Sequence, residues 1–317
     1  MYKAKEKEKK AIILLKYQKK EIEKKNKSIR EVNSLLLHKN DKITIQKDEI
    51  EKQHSEIRKK SEDIQGSIRY ASRIQAAILP QKNKIKSLLP DSFILFRPRD
   101  IVSGDFYWMS EKDNKIIITA VDCTGHGVPG AFMSMISSTI LNEIVNQKGI
   151  THTSKILENL HKGINISLKQ EETANQDGMD MAICVIDKEK NICYFSGAKN
   201  PLFYVEDGEL KQLKGDRMPI GGMLSGKLKN KPFARYEIPL KDDTVFYIFS
   251  DGYQDQFGGK KGRKFMRRRF KNLLLEIHKE PMEVQKEILN TTIIEWMGEK
   301  EQIDDILIIG FKILQNF

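Results

Sequence analysis

The 317-residue sequence has little cysteine, and its cysteines are arranged neither as metal ligands nor as a disulfide framework. Cys123, Cys184 and Cys193 are odd in number and show no CxxC spacing. This pattern argues against a cysteine zinc site and favours reduced thiols in a cytoplasmic protein.

Long apolar runs are also missing. The longest run near the start, residues 11–15, is much shorter than the ~20 residues of a membrane span and shorter than the core of a signal peptide. Charged helical sequence that starts this abruptly is typical of segments that follow a sensor domain or a membrane span. An upstream segment of that kind is therefore compatible with the chain.

Positive charge is concentrated in one part of the sequence. The chain carries a net charge of +11, of which residues 1–80 contribute +9 through 21 Lys/Arg and 12 Asp/Glu. The remainder carries only +2 and shows no basic stripe with interleaved aromatic side chains, the pattern suited to nucleic-acid backbones. We expect no nucleic-acid partner. The rival interpretation, a basic coiled-coil adaptor for nucleic acid or anionic membrane, predicts salt-sensitive binding.

A heptad repeat of apolar residues runs through this basic segment and predicts a coiled coil over residues 1–80. Polar residues such as Asn26 and Asn33 occupy the other seam position, which favours a parallel pair of helices at a cost in stability. We therefore expect a homodimer weak enough to switch, and the alternative is a single solvated helix. The apolar repeat positions are Leu15, Ile22, Ile29, Leu36, Ile43, Ile50, Ile57, Ile64, Ala71 and Ile78.

After Pro80 and Pro90 the sequence changes to short apolar runs separated by Gly, Asn, Asp and Pro, so residues 81–317 are predicted to form a second domain. Helical periodicity is confined to two pairs of segments, and in the first of them it places Phe132 and Ile136 on one face. This order predicts an α+β fold with helix pairs layered on an antiparallel β-sandwich. Strands are predicted near 93–98, 105–109, 115–122, 181–187, 192–197, 201–206, 234–240, 244–251 and 305–313, and helices near 130–145, 154–168, 264–278 and 282–296.

Acidic residues stand at the ends of several predicted strands. Asp122 and Asp251 end strands, whereas Asp105, Asp304 and Asp305 open them. Carboxylates that converge at one end of a sheet repel each other unless cations compensate them, and oxygen ligands select Mg²⁺ or Mn²⁺ over zinc. For each residue alone, the alternative is an ordinary turn acid.

The segment VDCTGHGVPGAF strengthens the metal interpretation. Gly125 and its neighbouring glycines allow a sharp turn in which a main-chain carbonyl, such as that of Cys123, can approach a metal. His126 is either a general acid or ligand, or a turn residue with a local hydrogen bond, because no second histidine stands at ligand spacing.

Five ordered motifs, SGDFYW, VDCTGHGVPGAFMS, YFSGAKNPL, FSDG and the closing DDI, resemble those of the PPM (type 2C) metal-dependent protein serine/threonine phosphatases. The match is to their bacterial SpoIIE-like branch, and SIRYASRIQAAILP resembles the linker helix of that branch. The resemblance covers residues 65–317 and implies the αββα PPM fold.

The resemblance also implies a site for two Mn²⁺ or Mg²⁺ ions. Asp122 would bridge the ions, with Asp105 and the Cys123 carbonyl on one and Asp251 and Asp304 on the other. Catalysis is assigned to Asp122 and Asp251, through water activated between the paired ions. The sequence lacks a CxxxxxR loop and a Ser-His-Asp pattern, which agrees with hydrolysis without a covalent intermediate.

Several positions depart from the family pattern or leave a choice open. Asp305 is the alternative ligand to Asp304. Ala198 and Lys199 stand where many eukaryotic members carry a further Asp, so a third metal is not expected.

Other candidates lie outside the ligand set. Arg97 or Arg99 could clamp phosphate, with a solvated loop Arg as the alternative. Asp255 and Asp180 are candidates for the second shell of the metals or for ordinary turn and strand-start acids.

A cluster of basic residues spans positions 260–269. It fits either an acidic protein partner or a solvated surface, and Arg at a helix start opposes the helix dipole. Its members are Lys260, Lys261, Arg263, Lys264, Arg267, Arg268 and Arg269.

By this resemblance the expected activity is dephosphorylation of phosphoserine or phosphothreonine on a bacterial regulatory protein of the anti-sigma-factor-antagonist type, switched by the coiled coil. A catalytically weak or inactive dimeric scaffold is the alternative.

Overall fold

The computed structural model describes residues 1–222 and 231–313, and the chain divides into two compact units, residues 1–66 and 67–317. One helix, α1 (Tyr2–Ile78), makes up the first unit and continues into the second. The division therefore falls before the boundary at residue 80 that the sequence predicts, because the last helical turns pack within the second unit.

All side chains of the first unit are exposed. The apolar heptad residues from Leu15 to Ile64 are 52% to 65% exposed, and they have no partner in the described part of the chain. The coiled coil consequently remains a prediction. From Ile68 onward the same heptad positions are covered within the second unit, where Ala71 and Ile78 are half-buried and Gln75 is buried.

The described residues of the second unit form two antiparallel sheets and a small hairpin. The first sheet has the order β1-β13-β10-β6-β7, and the second has the order β2-β3-β4-β5-β9, with β8 added beside β4. The strands are β1 (Ser92–Arg97), β2 (Phe106–Lys112), β3 (Lys115–Cys123), β4 (Gly178–Asp187), β5 (Ile192–Ala198), β6 (Leu202–Glu206), β7 (Glu209–Leu213), β8 (Ile220–Gly221), β9 (Tyr236–Pro239), β10 (Val245–Phe249), β11 (Phe257–Gly258), β12 (Arg263–Lys264) and β13 (Ile306–Lys312).

Helices cover the outer face of each sheet. The helices are α2 (Lys82–Leu88), α3 (Gly127–Asn142) with a π-helical turn (Glu143–Gln147), α4 (Thr153–Ser167), α5 (Gly252–Asp255), α6 (Arg267–Ile277) and α7 (Met282–Met297). Period-2 alternation on β3 shows the layering, since Ile116 and Ile118 face the other sheet whereas Ile117 and Val121 face α3 and α4. A third core lies between the first sheet and α6 and α7. The predicted α+β sandwich with flanking helices is confirmed.

The buried face of α3 differs from the predicted one. Phe132 is 62% exposed, and the buried residues of the helix include small ones, such as Gly130, Ala131 and Ser134. Small residues are required there because the helix start lies against another backbone segment. Residues 127–147 also match the length and hydropathy of a membrane span, contrary to the sequence-based expectation, although half of that window is buried inside the domain.

Candidate metal centre

The strand register brings five predicted acids to one end of the sandwich. Asp122 lies opposite Asp180 in the β3–β4 ladder, and Asp105 immediately precedes β2, whose first residue pairs with Val121. Asp251 follows β10 and Asp304 precedes its antiparallel neighbour β13. In adjacent antiparallel strands, the end of one strand lies beside the start of the next. Residues more than 190 positions apart in the sequence therefore meet at the same end of the sandwich.

Three glycines allow the backbone segments of this centre to pack closely. A Cβ atom added to Gly104 would lie 2.4 Å from the carbonyl oxygen of Gly125, and one added to Gly130 would lie at the same distance. Gly125 itself adopts φ of +81°, a left-handed conformation that glycine accepts without strain. The Cys123 carbonyl oxygen also faces this region, 3.3 Å from a Cβ placed on Gly104.

A fourth glycine joins the FSDG and DDI motifs. A Cβ on Gly252 would meet the carbonyl of Asp305. Any side chain at this position would force Asp251 away from Asp304.

Asp105 and Asp122 carry the most perturbed carboxyl groups of the centre. Burial raises the pKa of Asp105 well above its usual range, the charge of Asp122 raises it further, and the Ser250 hydroxyl opposes the shift. Burial likewise raises the pKa of Asp122, together with the charges of Asp251 and Asp304. The Oδ2 atom of Asp105 is buried and has no hydrogen-bond partner. A buried, unpartnered carboxylate oxygen beside further carboxylates requires a cation or a proton.

Asp251 and Asp304 are less deeply placed. Burial and the charge of Asp304 raise the pKa of Asp251 to about 6. Burial is also the main cause that raises the pKa of Asp304, opposed by the backbone N–H of Asp305. The surroundings of both groups therefore disfavour their charged forms.

The donor set fits a hard divalent cation. Every candidate ligand is an oxygen, and repulsion between carboxylates raises the pKa values, which a bound cation would reverse. Within residues 1–222 and 231–313, however, no three His, Cys, Asp or Glu side chains are already gathered around one point.

Asp305 has a different environment from Asp304. Its carboxylate accepts hydrogen bonds from the backbone N–H groups of Arg99 (2.7 Å), Gly104 (2.7 Å) and Asp105 (3.4 Å). It is buried, and its oxygens fix the loop that carries Asp105. Asp304 is more exposed and interacts electrostatically with Asp122 and Asp251.

The two candidate arginines do not point to the same place. Arg97 donates from Nη1 to Asn290 Oδ1 at 2.9 Å and thus faces helix α7. Arg99 is exposed, and its charge lowers the pKa of Asp304 as a minor influence after burial. Of the two, Arg99 lies on the side of the acidic centre.

The two acids considered as supports for the metal ligands are engaged by lysines. Asp180 contacts Lys199 Nζ at 3.0 Å, and Asp255 contacts Lys264 Nζ at 2.9 Å. Lys199 thus provides positive charge in the segment that lacks the further family Asp.

Three contacts around the centre involve residues outside the predicted ligand set. His126 Nδ1 lies 2.9 Å from Asp100 Oδ2 at the rim of the centre. Ser250 precedes Asp251 and interacts with Asp105. Gln75, on the last turns of α1, bonds to Ser103 beside the Asp105 loop. The sequence offered a signal for Ser250, which lies inside the FSDG motif, and for His126, which lies in the glycine-rich turn and is expected there as a general acid or ligand, or as a turn residue with a local hydrogen bond.

Comparison with known proteins gives consistent matches. A family model described as stage II sporulation protein E (SpoIIE) matches residues 112–314. Phosphoserine phosphatase RsbU of Bacillus subtilis is 25% identical over 194 residues, which are 60% of this chain and 54% of that protein. The chain therefore spans about half the length of this curated relative.

Solved structures show the same fold. The SiaA-PP2C domain of Pseudomonas aeruginosa matches with a TM-score of 0.72 and 35% identity, over 80% of this chain and 98% of that domain. The PP2C phosphatase domain of SpoIIE from Bacillus subtilis, solved with a fragment of its regulatory domain, matches with a TM-score of 0.58 and 18% identity, over 72% of this chain and 64% of that one. At this lower identity the second match shows the fold alone.

Proposed function

This chain belongs to the SpoIIE family, and we propose that it is a metal-dependent phosphatase that hydrolyses phosphoserine or phosphothreonine on a regulatory protein. The observation that carries the proposal is the buried Asp105 carboxylate, with an unpartnered oxygen, beside the half-buried Asp122 on a PP2C fold. Groups with strongly raised pKa values that cluster at one end of a sheet are typical of functional sites.

We assign the ligands as follows. Asp122 would lie between two ions, with Asp105 and the Cys123 carbonyl on one side and Asp251 and Asp304 on the other. Bound Mn²⁺ or Mg²⁺ would neutralise these carboxylates and supply Lewis acidity for phosphoester hydrolysis.

The chain's own residues would prepare this centre. Asp305 holds the Asp105 loop through three backbone N–H groups, and the interlocked glycines fix the distance between that loop and the turn after Cys123. Asp100 orients His126 through Nδ1. His126, when protonated, can hold at Nε2 the proton that the leaving serine or threonine oxygen needs.

The resemblance to the SpoIIE family supports the proposed substrate class. Regulatory proteins of the anti-sigma-factor-antagonist type carry such phosphorylated residues, and we propose one of them as the substrate.

Regulation through the first 80 residues is a further part of the proposal. The exposed apolar heptads of the first unit would pair with a second copy of the chain, and the last turns of α1 contact the Asp105 loop through Gln75. Removal of residues 1–64 should therefore give a monomer with altered turnover. Unchanged turnover in a monomeric truncation would refute this regulatory role while leaving the proposed catalysis intact.

The catalytic proposal is tested by hydrolysis of p-nitrophenyl phosphate with Mn²⁺. Activity should be abolished by EDTA and should fall by at least about a hundredfold in Asp122→Asn and in Asp251→Asn, as expected when electrostatic catalysis is lost. Asp207→Asn is the matched control, because Asp207 is an exposed turn residue with φ of +52°, which Asn accommodates.

Two results would oppose the proposal. Activity that persists in EDTA would refute the metal assignment. Absence of activity in a folded, metal-binding dimer would favour the inactive scaffold.

A further inference from the structure

A basic cleft lies on the hairpin that follows Asp251. It has a volume of about 300 Å³ and is lined by Gly258, Lys260, Lys261, Arg263, Arg269 and Trp296. These residues come from the β11–β12 hairpin, the first turn of α6 and the end of α7. None of the lining residues is acidic, so the cleft is a concentrated positive surface.

The cations of this basic cleft are available for a partner. Lys260, Lys261 and Arg263 are exposed, and in the part of the chain that the structure describes no carboxylate lies within 4.0 Å of their charged groups or of Arg269. By contrast, neighbouring Lys264 is already paired with Asp255 at 2.9 Å. Like charges brought together without counter-ions disfavour folding, and this cost is offset when an anionic partner binds.

The walls of the cleft are held by defined contacts. The Gly259 N–H donates to the Trp296 carbonyl at 2.7 Å, and Trp296 Nε1 donates to the Gln256 carbonyl at 3.1 Å. The Arg269 guanidinium lies over the Trp296 ring at 4.5 Å. The hairpin, α6 and α7 are therefore joined through the backbone and the ring of Trp296, which gives the cleft a fixed shape.

The position of the cleft relates it to the acidic centre. Only the short helix α5 separates Asp251 from the hairpin, and Lys264 on β12 interacts electrostatically with both Asp255 and Asp251. From Asp251 to Lys260 the chain runs through four helical residues and five extended ones, which together span at most ~23 Å. An extended peptide covers that distance in about seven residues.

We propose that the basic cleft binds an acidic stretch of the phosphoprotein substrate, within about seven residues of the phosphorylated side chain. This inference rests on the proposed phosphatase function. A protein segment fits better than nucleic acid because the positive surface is short, and the second domain outside it carries little net charge. Exposed lysines on a rigid hairpin are better suited to several carboxylates that flank the phosphorylated residue than to a single buried phosphate.

The test compares two phosphoserine peptides of equal length. One carries five Glu on each side of the phosphoserine, at the third to seventh positions, and the other carries Gln at the same positions. Wild type should hydrolyse the Glu peptide about three- to tenfold more efficiently at low salt, through a lower KM, and the preference should shrink as salt screens the charges.

The decisive variant is Lys260→Gln/Lys261→Gln. It should lose the preference for the Glu peptide while its turnover of p-nitrophenyl phosphate, which is too small to reach the cleft, stays unchanged. The matched control is Lys188→Gln/Lys190→Gln, two exposed lysines in the β4–β5 turn at the opposite end of the sheet from Asp122. The control should keep the preference.

Binding separates this inference from the proposed catalysis. Fluorescence anisotropy of a labelled, unphosphorylated Glu peptide on the full-length chain should show weaker binding in the cleft variant than in the control, whether or not the enzyme is active. Equal affinity in the two variants would overturn the inference. It would also be overturned if the cleft variant lost affinity only for a single-stranded oligonucleotide or for vesicles with anionic lipid.

Discussion

Gln75 and Ser103 are joined by two hydrogen bonds that run in opposite directions. Gln75 Nε2 donates to the Ser103 carbonyl at 2.6 Å, and the Ser103 N–H donates to Gln75 Oε1 at 3.1 Å. The same Nε2 also donates to the Ser134 hydroxyl on α3. One buried amide thus connects α1, the Asp105 loop and α3.

We expect Gln75→Met to weaken metal binding as well as stability. The change keeps the length of the side chain but leaves buried polar groups of Ser103 without partners, at about 1–3 kcal/mol. Calorimetric titration should show an apparent Mn²⁺ affinity lowered by about tenfold, because the Asp105 loop is less well ordered. This change corresponds to ~1.4 kcal/mol of binding free energy. Gln65→Met, on the exposed part of the same helix, is the control. Equal Mn²⁺ affinity in both variants would contradict the role of Gln75.

Asp304 and Asp305 should respond differently to the same substitution. Asp304→Asn should reduce Mn²⁺ affinity strongly with little effect on folding. Asp305→Asn should reduce the free energy of unfolding by roughly 1.5–3 kcal/mol even without metal, because its charged carboxylate accepts backbone hydrogen bonds. Urea unfolding in EDTA, combined with Mn²⁺ titration, measures both quantities. The reverse pattern would make Asp305 the ligand.

The acidic centre should destabilise the metal-free protein as pH rises. Burial and the charge of Asp304 raise the pKa of Asp251 to about 6 in the folded state, against about 4 for an unfolded chain. Protonation of this group therefore stabilises the fold fully below pH ~4, and that contribution is lost as pH rises through about 6.

In EDTA at pH 7.5 the Asp251→Asn variant should therefore melt a few degrees above wild type, for a difference of roughly 1–3 kcal/mol. The difference should shrink at pH 4.5 and reverse when Mn²⁺ is added, since metal binding stabilises only the protein that keeps its ligands. Differential scanning fluorimetry with Asp207→Asn as control tests this. A variant less stable than wild type in EDTA at pH 7.5 would show that repulsion is not the dominant effect.

Gly104→Ala should be strongly disruptive for its size. The new methyl group would lie 2.4 Å from the Gly125 carbonyl, a backbone atom that cannot move independently. We expect a loss of about 1–3 kcal/mol or more and a matching fall in Mn²⁺ affinity. Gly66→Ala has open space around the added Cβ and lies within α1, so it should instead stabilise by roughly 0.5–1 kcal/mol. Similar melting temperatures for the two variants would contradict this account.

The strands and the placement of the acids follow from local sequence patterns. The apolar run of β3 and the position of Asp122 near its end, taken together with the other acids at strand ends, predict that carboxylates meet at one end of the sandwich. In adjacent antiparallel strands the end of one lies beside the start of the other, so this prediction does not depend on exact distances.

Other features depend on contacts between distant segments. The role of Asp305 depends on backbone N–H groups of residues 99–105, about 200 positions away, and no pattern around Asp305 indicates them. The face of α3 was predicted from its large apolar residues, yet the helix turns its small residues inward because Gly130 lies against Gly104 and Gly125. Helix α2 and the short strands β7, β8, β11 and β12 were missed because their residues show no apolar periodicity.

The heptad positions of α1 serve two environments in succession. Up to Ile64 they are open, and from Ile68 they are covered within the second unit, without a break in the repeat. A chimaera that joins another module to α1 must therefore keep the heptad register across the junction. Sensor modules joined ahead of the helix should be interchangeable when the junctions differ by seven residues. Junctions that differ by three or four residues place the incoming seam on another side of the helix and should transmit a different signal, or none.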